Sequence, residues 1–199
     1  MTINVNSNEA VIRETRLGAV TGYQGTIRDL VNKAADCSLK NRERCFSQAS
    51  ACMSGCAQGH LSGIVDAAIV NHAPVGCAAD TVGANTQNKW GLRVRNWRQT
   101  NLQLISTNMT EEDTVFGAAA KLQEAVREAY RRFKPKAIFV TTSCVSGIIG
   151  EDIGSILAEL KEEIPVPLVP VACEGFKTKV WASGFDAAYH AILTHIVQP

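Results

Sequence analysis

Three cysteines with similar surroundings stand far apart in this chain: Cys52 in SACMSGC, Cys77 at the end of HAPVGC and Cys144 in TTSCVSGIIGED. None sits in a local C-x-x-C clip, so any metal they share must be gathered by the fold. Thiolate sulfur is the soft donor that iron–sulfur clusters require, and glycine beside a ligand lets the backbone approach an inorganic body closely. Three thiolates fall one short of the four that hold a cubane, so a partner subunit or further ligands must complete the set. That count places the site at an interface. The plain alternative is that the cysteines are small apolar fillers of the core, as free cysteine commonly is.

The elements that would position them begin to favour chemistry. Residues 1–60 are polar and basic in places, with an amphipathic segment at 27–35 and a charged run at 40–44. They read as an irregular arm with one or two short helices, and this arm carries Cys52. From residue 61 to 199 the pattern becomes orderly. Short apolar runs at 67–71, 102–106, 137–142 and 166–171 predict four strands. A helix is expected from an N-cap at Thr110, with Asp113 three positions on, through to Arg131 and Arg132, its apolar stripe being Leu122, Val126, Ala129 and Tyr130. Further helices are expected at 151–163 and 185–197. Strand and helix alternating at this spacing imply an α/β domain with a parallel sheet and helices on both faces.

In such sheets ligands bind beyond the carboxyl ends of the strands. Cys77, Cys144 and Cys173 each follow a strand exit, where a filler role would have scattered them through strand interiors. Seven cysteines, an odd number, and an N-terminus (MTINVNSNEAVIR) without an apolar signal core argue against a disulfide framework and for a reducing, cytoplasmic setting. No apolar run approaches the roughly 18 residues of a membrane span. A net charge of +1 gives no basis for attraction to nucleic acid or membranes, and 46% hydrophobic residues suffice for a core.

Four motifs in order carry a more specific resemblance: HAPVGC (72–77), TNMTEEDTVFGAAAKL (107–122), TTSCVSGIIGEDI (141–153) and VPVACEGF (169–176). Together they resemble the α-type subunit of nitrogenase component 1 and its relatives, over a stretch from about Cys52 to His195. The resemblance implies a Rossmann-like domain in which Cys52, Cys77 and Cys144 are the α-side thiolates of an electron-relay cluster, a P-cluster of the [8Fe-7S] type or a [4Fe-4S] cubane. It implies a β-type subunit sharing that cluster, an α2β2 complex, and an ATP-dependent iron protein as electron donor. Cys56, where many relatives carry glycine, is the alternative first ligand, although the Cys52–Cys77 spacing suits the family pattern better. Residues 61–199 would then be the cluster-binding domain.

Family members are considerably longer, with three α/β domains, the later two holding a complex iron–sulfur catalytic cofactor. This sequence therefore reads as a fragment, a truncated product or part of a longer subunit, inactive alone. Where dinitrogenases place a glutamine and a histidine after CEGF, this chain has Trp181 and Phe185 in KTKVWASGFDAAYHAI, and an arginine is missing in CAADTVGAN. An aromatic cofactor pocket wall of this kind fits methylthio-alkane reductases, which cleave carbon–sulfur bonds, better than dinitrogen reduction. Other expectations from the family are a cofactor-assembly scaffold, a dinitrogenase or a tetrapyrrole-type reductase.

The remaining residues have plainer readings. Cys37 and Cys45 match no ligand position, and Cys173 is expected to pack its loop. His72, before a turn proline, is expected to hydrogen-bond backbone, His60 and His190 have no carboxylate or cysteine at zinc spacing, and His195 sits near the end of an apolar helix. Glu111, Glu112 and Asp113 suit a helix N-terminus, and GIIGED is not a P-loop because no GK[ST] follows.

Overall fold

The computed structural model describes residues 52–79, 81–178 and 181–197, together with Thr26, Arg28, Asp29, Val31 and Asn32. Two compact units divide the chain, Met1–Glu43 and Arg44–Pro199. Cys37, Cys45 and the charged run at 40–44 lie outside the described residues. Within the first unit Arg28, Asp29, Val31 and Asn32 are helical. Thr26 caps them, its hydroxyl donating to Asp29 Oδ2 at 2.6 Å while the Asp29 N–H returns to Thr26 Oγ1 at 3.2 Å.

The second unit begins with α1 (Met53–Leu61), followed by β1 (Ala67–His72), α2 (Val75–Ala79) and α3 (Thr81–Val94). Next come β2 (Leu104–Ser106), α4 (Glu111–Phe116), α5 (Ala119–Phe133) and β3 (Ala137–Thr142). The chain continues through α6 (Cys144–Ile149), α7 (Ile153–Glu159), β4 (Leu168–Val171), a 3-10 turn (Gly175–Lys177) and α8 (Ser183–His195). All pairings are parallel, in the order β2-β1-β3-β4. Every residue of β1 and β3 is buried. Such strands lie between two helical layers and read as continuous apolar runs rather than as alternation.

The two layers can be named from side chains. On one face Ala68, Val70, Ile138 and Val140 meet Leu122 and Val126 of α5 and Ile153 and Leu157 of α7. On the other, Ile69, Phe139, Val169 and Val171 meet Ala57 and Leu61 of α1 and Ala188 and Ala191 of α8. Leu122 and Val126 are fully buried, each contributing about 2 kcal/mol of transfer free energy. Among the described residues no helix is long and apolar enough to cross a membrane.

The helix expected from Thr110 onward is two helices. Gly117 breaks it at φ +87°, a conformation that side-chain-bearing residues rarely adopt, and α5 restarts from Ala118. The apolar period runs across the break, which is why the pattern looked continuous. The helix expected at 151–163 spans only Ile153–Glu159: Asp152 caps its start, its Oδ1 accepting the Ser155 N–H at 3.1 Å, and residues 160–163 are turns. Helix α3 was not foreseen: TVGANTQNKWGLRV has a weak apolar stripe and two glycines.

Asp113 does more than face a helix dipole. Its Oδ2 pairs with Lys121 Nζ at 2.6 Å and accepts the Thr110 N–H at 2.6 Å and hydroxyl at 2.9 Å, joining α4 to α5 across the Gly117 break. The Lys121 ammonium, then the Thr110 N–H, hold its carboxyl down from 3.8 to about 2. A lowered pKa contributes stability that is complete above the unfolded value and disappears as pH falls through the folded one. Asp113→Asn should therefore lower the melting temperature at neutral pH, with the gap to wild type closing between pH 3.8 and about 2. An equal deficit throughout a pH series of thermal melts would rule out the ionised pair as its source.

Candidate metal centre

Cys52 is the N-cap of α1, and Cys144 is the first residue of α6, directly beyond the carboxyl end of β3. Ser54 seats the start of α1 on that strand end, its hydroxyl donating to the Thr142 carbonyl at 3.2 Å. Ser143 and Ser146 cap α6 reciprocally: the Ser143 N–H donates to Ser146 Oγ at 2.9 Å and the Ser146 N–H to Ser143 Oγ at 3.3 Å. Both thiols thus sit at helix starts held by hydrogen bonds, long-range for α1 and local for α6.

The two sulfurs converge on Gly175. A Cβ placed on this glycine would lie 3.2 Å from Cys52 Sγ, 3.1 Å from Cys52 Cβ and 3.4 Å from Cys144 Sγ. A side chain here would press on both cysteines, which would have to give by a few tenths of an ångström. A second glycine makes the neighbouring crossing: a Cβ on Gly147 of α6 would fall 2.6 Å from Glu174 Cγ. Glu174 is itself buried, its carboxylate paired with Lys177 Nζ at 2.9 Å.

Cys77 lies on α2, two residues beyond the helix start, with its N–H donating to the Pro74 carbonyl at 3.0 Å. Helix α2 packs against α1. The structure therefore brings Cys52 and Cys144 to one point and stands Cys77 on the adjoining helix at the same edge of the sheet. All three are partly exposed. Among the described residues no three His, Cys, Asp or Glu side chains close on a single metal ion. Two thiols beside a side-chain-free stretch of backbone are soft donors of the kind an iron–sulfur cluster would use.

The other cysteines have different surroundings. Cys173 is fully buried with its thiol donating to the Thr142 carbonyl at 3.3 Å, and burial pushes it up to about 12. A thiol held protonated in this way packs its loop. Cys56 is buried on the inner side of α1, and burial raises its pKa too, against the lowering contacts of the Phe185 and Gly184 N–H groups of α8. Trp181 and Phe185 come together, ring centroids 5.9 Å apart, and Phe185 lies 3.5 Å from the His60 ring of α1. They meet at the contact of α8 with the helix that Cys52 caps.

His72 departs from expectation. Its partners are side chains, Glu151 through Nε2 and Thr107 through Nδ1, because the strand end buries it completely and leaves the ring between two loops. Sequence reasoning missed Gly175, Glu151 and the Gly147–Glu174 crossing. The glycine of CEGF, two residues after a cysteine, was a usable signal under the same rule applied to the other three cysteines.

Gly175→Ala offers a direct check. The added methyl would press on both sulfurs while leaving the sheet alone, so bound iron should fall several-fold with the circular dichroism spectrum unchanged. Wild-type iron content in that variant would separate Gly175 from the site.

The sequence pattern of the family described as nitrogenase component 1 type oxidoreductase matches residues 52–199. The nitrogenase molybdenum-iron protein alpha chain of Clostridium pasteurianum is 34% identical over 153 residues, 72% of this chain and 28% of that one. The nitrogenase iron-molybdenum cofactor biosynthesis protein NifE of Nostoc sp. is also 34% identical, over 168 residues, 77% of this chain and 33% of that one. A solved structure titled nitrogenase Cp1 at pH 6.5 superposes with a TM-score of 0.60 at 31% identity, covering 73% of this chain and 28% of its own. The chain thus spans a third or less of the length of these relatives.

Proposed function

The chain belongs to the nitrogenase component 1 type oxidoreductases, and from that premise we propose that it carries the α-type half of an interfacial iron–sulfur electron-relay site. Cys52, Cys77 and Cys144 would hold the cluster, a P-cluster of the [8Fe-7S] type or a [4Fe-4S] cubane. When bound, such a cluster supplies one-electron storage and transfer. The observation that carries this reading is the meeting of the Cys52 and Cys144 sulfurs over Gly175. Cys56 is turned to the α8 contact, which supports Cys52 as first ligand.

A β-type subunit would supply the remaining ligands, and an ATP-dependent iron protein the electrons, in an α2β2 complex. Val75, Ile148 and Phe176, each within a few residues of Cys77, Cys144 or Gly175, are exposed large apolar side chains, as a surface buried by a partner would have. The substrate we propose is a methylthio-alkane, reduced at a complex iron–sulfur cofactor elsewhere in the complete subunit. Trp181 and Phe185 would present apolar surface towards that cofactor's pocket, where hydrogen-bonding side chains would serve dinitrogen.

One observation favours a second reading, a non-catalytic scaffold for cofactor assembly: the relative described as a cofactor biosynthesis protein is as similar as the molybdenum-iron protein alpha chain. Turnover separates the two. The full-length chain with its partner, an iron protein and ATP should release ethylene or methane from methylthio compounds and form little ammonia. Ammonia from dinitrogen would indicate a dinitrogenase. Delivery of a cofactor precursor to an acceptor protein, without turnover of its own, would make the chain a scaffold.

A further inference from the structure

His72 and Glu151 form a buried, hydrogen-bonded pair of side chains. His72 ends β1, is fully buried, and has Nε2 2.5 Å from Oε2 of Glu151, whose side chain is 9% exposed. The other imidazole nitrogen, Nδ1, lies 3.2 Å from the Thr107 hydroxyl, which accepts the Ala73 N–H at 3.1 Å. The second carboxylate oxygen, Oε1, accepts the Ala118 N–H at 2.5 Å. One carboxylate thereby joins three connections: the end of β1, the turn after α6, and the junction of α4 with α5.

Two of those connections carry candidate ligands. The chain passes from His72 through Ala73 and Pro74 into α2 and Cys77, and from Cys144 through α6 and Gly150 into Glu151. This contact links the Cys77 segment to the Cys144 segment across 79 positions of sequence. Stability alone explains it poorly, since removing two groups from water is costly and an apolar pair of similar volume would often hold the same elements as well. What an imidazole bonded on both sides adds is direction: neither segment can slide or rotate without breaking a buried polar contact.

We propose that the His72–Glu151 pair is a positioning device that sets where Cys77 stands relative to Cys144. The inference rests on the cluster reading above and extends it to residues that do not ligate. The pair lies between the two ligand-bearing segments, as an outer layer of hydrogen bonds lies behind a metal's own ligands and fixes their orientation.

The test uses the full-length chain with its partner, isolated without oxygen, and reads iron per complex together with the electron paramagnetic resonance of the bound cluster. Glu151→Ala removes the acceptor for both His72 and Ala118, and should lower iron at least twofold and shift or broaden the resonance of the clusters that remain. Glu151→Gln keeps the size and one acceptor oxygen, and should restore most of the iron. His72→Asn should resemble Glu151→Ala, and the two together should be no worse than either alone. Leu157→Ala, a core truncation in α7, is the folding control: it should lower the melting temperature and leave the resonance of retained clusters unchanged.

Wild-type iron and resonance in Glu151→Ala would overturn the positioning role, as would a spectrum matching that of Leu157→Ala at equal folded fraction. Wild-type complex without iron would instead remove the cluster reading, and the inference with it.

Discussion

Replacing Cys77 with alanine should strip the complex of most of its cluster iron, by roughly tenfold or more, while the four-stranded sheet stays folded. Loss of an outer-layer partner already costs metal sites about 10–100-fold, and a direct thiolate ligand should cost at least as much. The fold should survive because Cys77 is only partly buried and lies on a helix of five residues outside both core clusters. Association with the proposed β-type partner should weaken too, since an under-coordinated cluster edge would face the interface. Cys173→Ala provides the contrast: its thiol is pushed up to about 12 by burial and packs against Thr142, so iron should remain while stability falls. Iron assay and analytical ultracentrifugation of both variants decide the matter. Unchanged iron per heterodimer in Cys77→Ala would count decisively against the proposed ligand set.

Gly184→Ala is expected to be the most destabilising single-methyl change in the described residues. A Cβ there would lie 2.4 Å from the Met53 carbonyl oxygen, 2.6 Å from Cys56 Cβ and 2.7 Å from the Ala57 nitrogen. Two of these neighbours are backbone atoms of α1, so no side-chain rotation can relieve them and α8 must move away from α1. Overpacking of this kind costs about 1–3 kcal/mol, and a backbone clash belongs at the upper end. For a chain of this size that is roughly 10 °C in melting temperature. The movement would also disturb the helix that Cys52 caps, so iron should fall alongside. A loss of under about 2 °C by calorimetry would show that the two helices part easily.

Strands were the most legible part of the fold. β1 and β3 are buried along their whole length, so AAIVNH and AIFVTT stand out as apolar runs regardless of register. The stripe on α5 was equally clear, because Leu122, Val126 and Ala129 recur on one face and all are buried. Helix α3 and the break at Gly117 were not legible. The first has little amphipathic signal, and the second depends on a tertiary contact, the Glu151 carboxylate that receives the Ala118 N–H.

For the site, residue type and glycine-rich surroundings singled out Cys52, Cys77 and Cys144, with strand-exit position adding to the case for the last two, and the convergence of Cys52 and Cys144 on Gly175 is a tertiary fact no spacing could supply. The His72–Glu151 pair was equally hidden. Its members are 79 residues apart, and nothing local distinguishes that glutamate from its neighbour Asp152, which caps α7.

The parallel pairing of β1 with β3 also sets a timetable. Asn71 meets Thr141 across 70 residues of intervening chain, and the contact that seats the start of α1 on the end of β3, Ser54 with Thr142, spans 88. Pairings of such long sequence separation form late, because loop closure must precede any reward from the contact. At a synthesis rate of about 5–20 residues per second, roughly 4–18 s separate the emergence of Ser54 from that of Thr142. Throughout that interval the Cys52 thiol has neither Gly175 beneath it nor Cys144 beside it. The arrangement of Cys52 and Cys144 around Gly175 therefore exists only once the chain has been made past Gly175 and the sheet has closed.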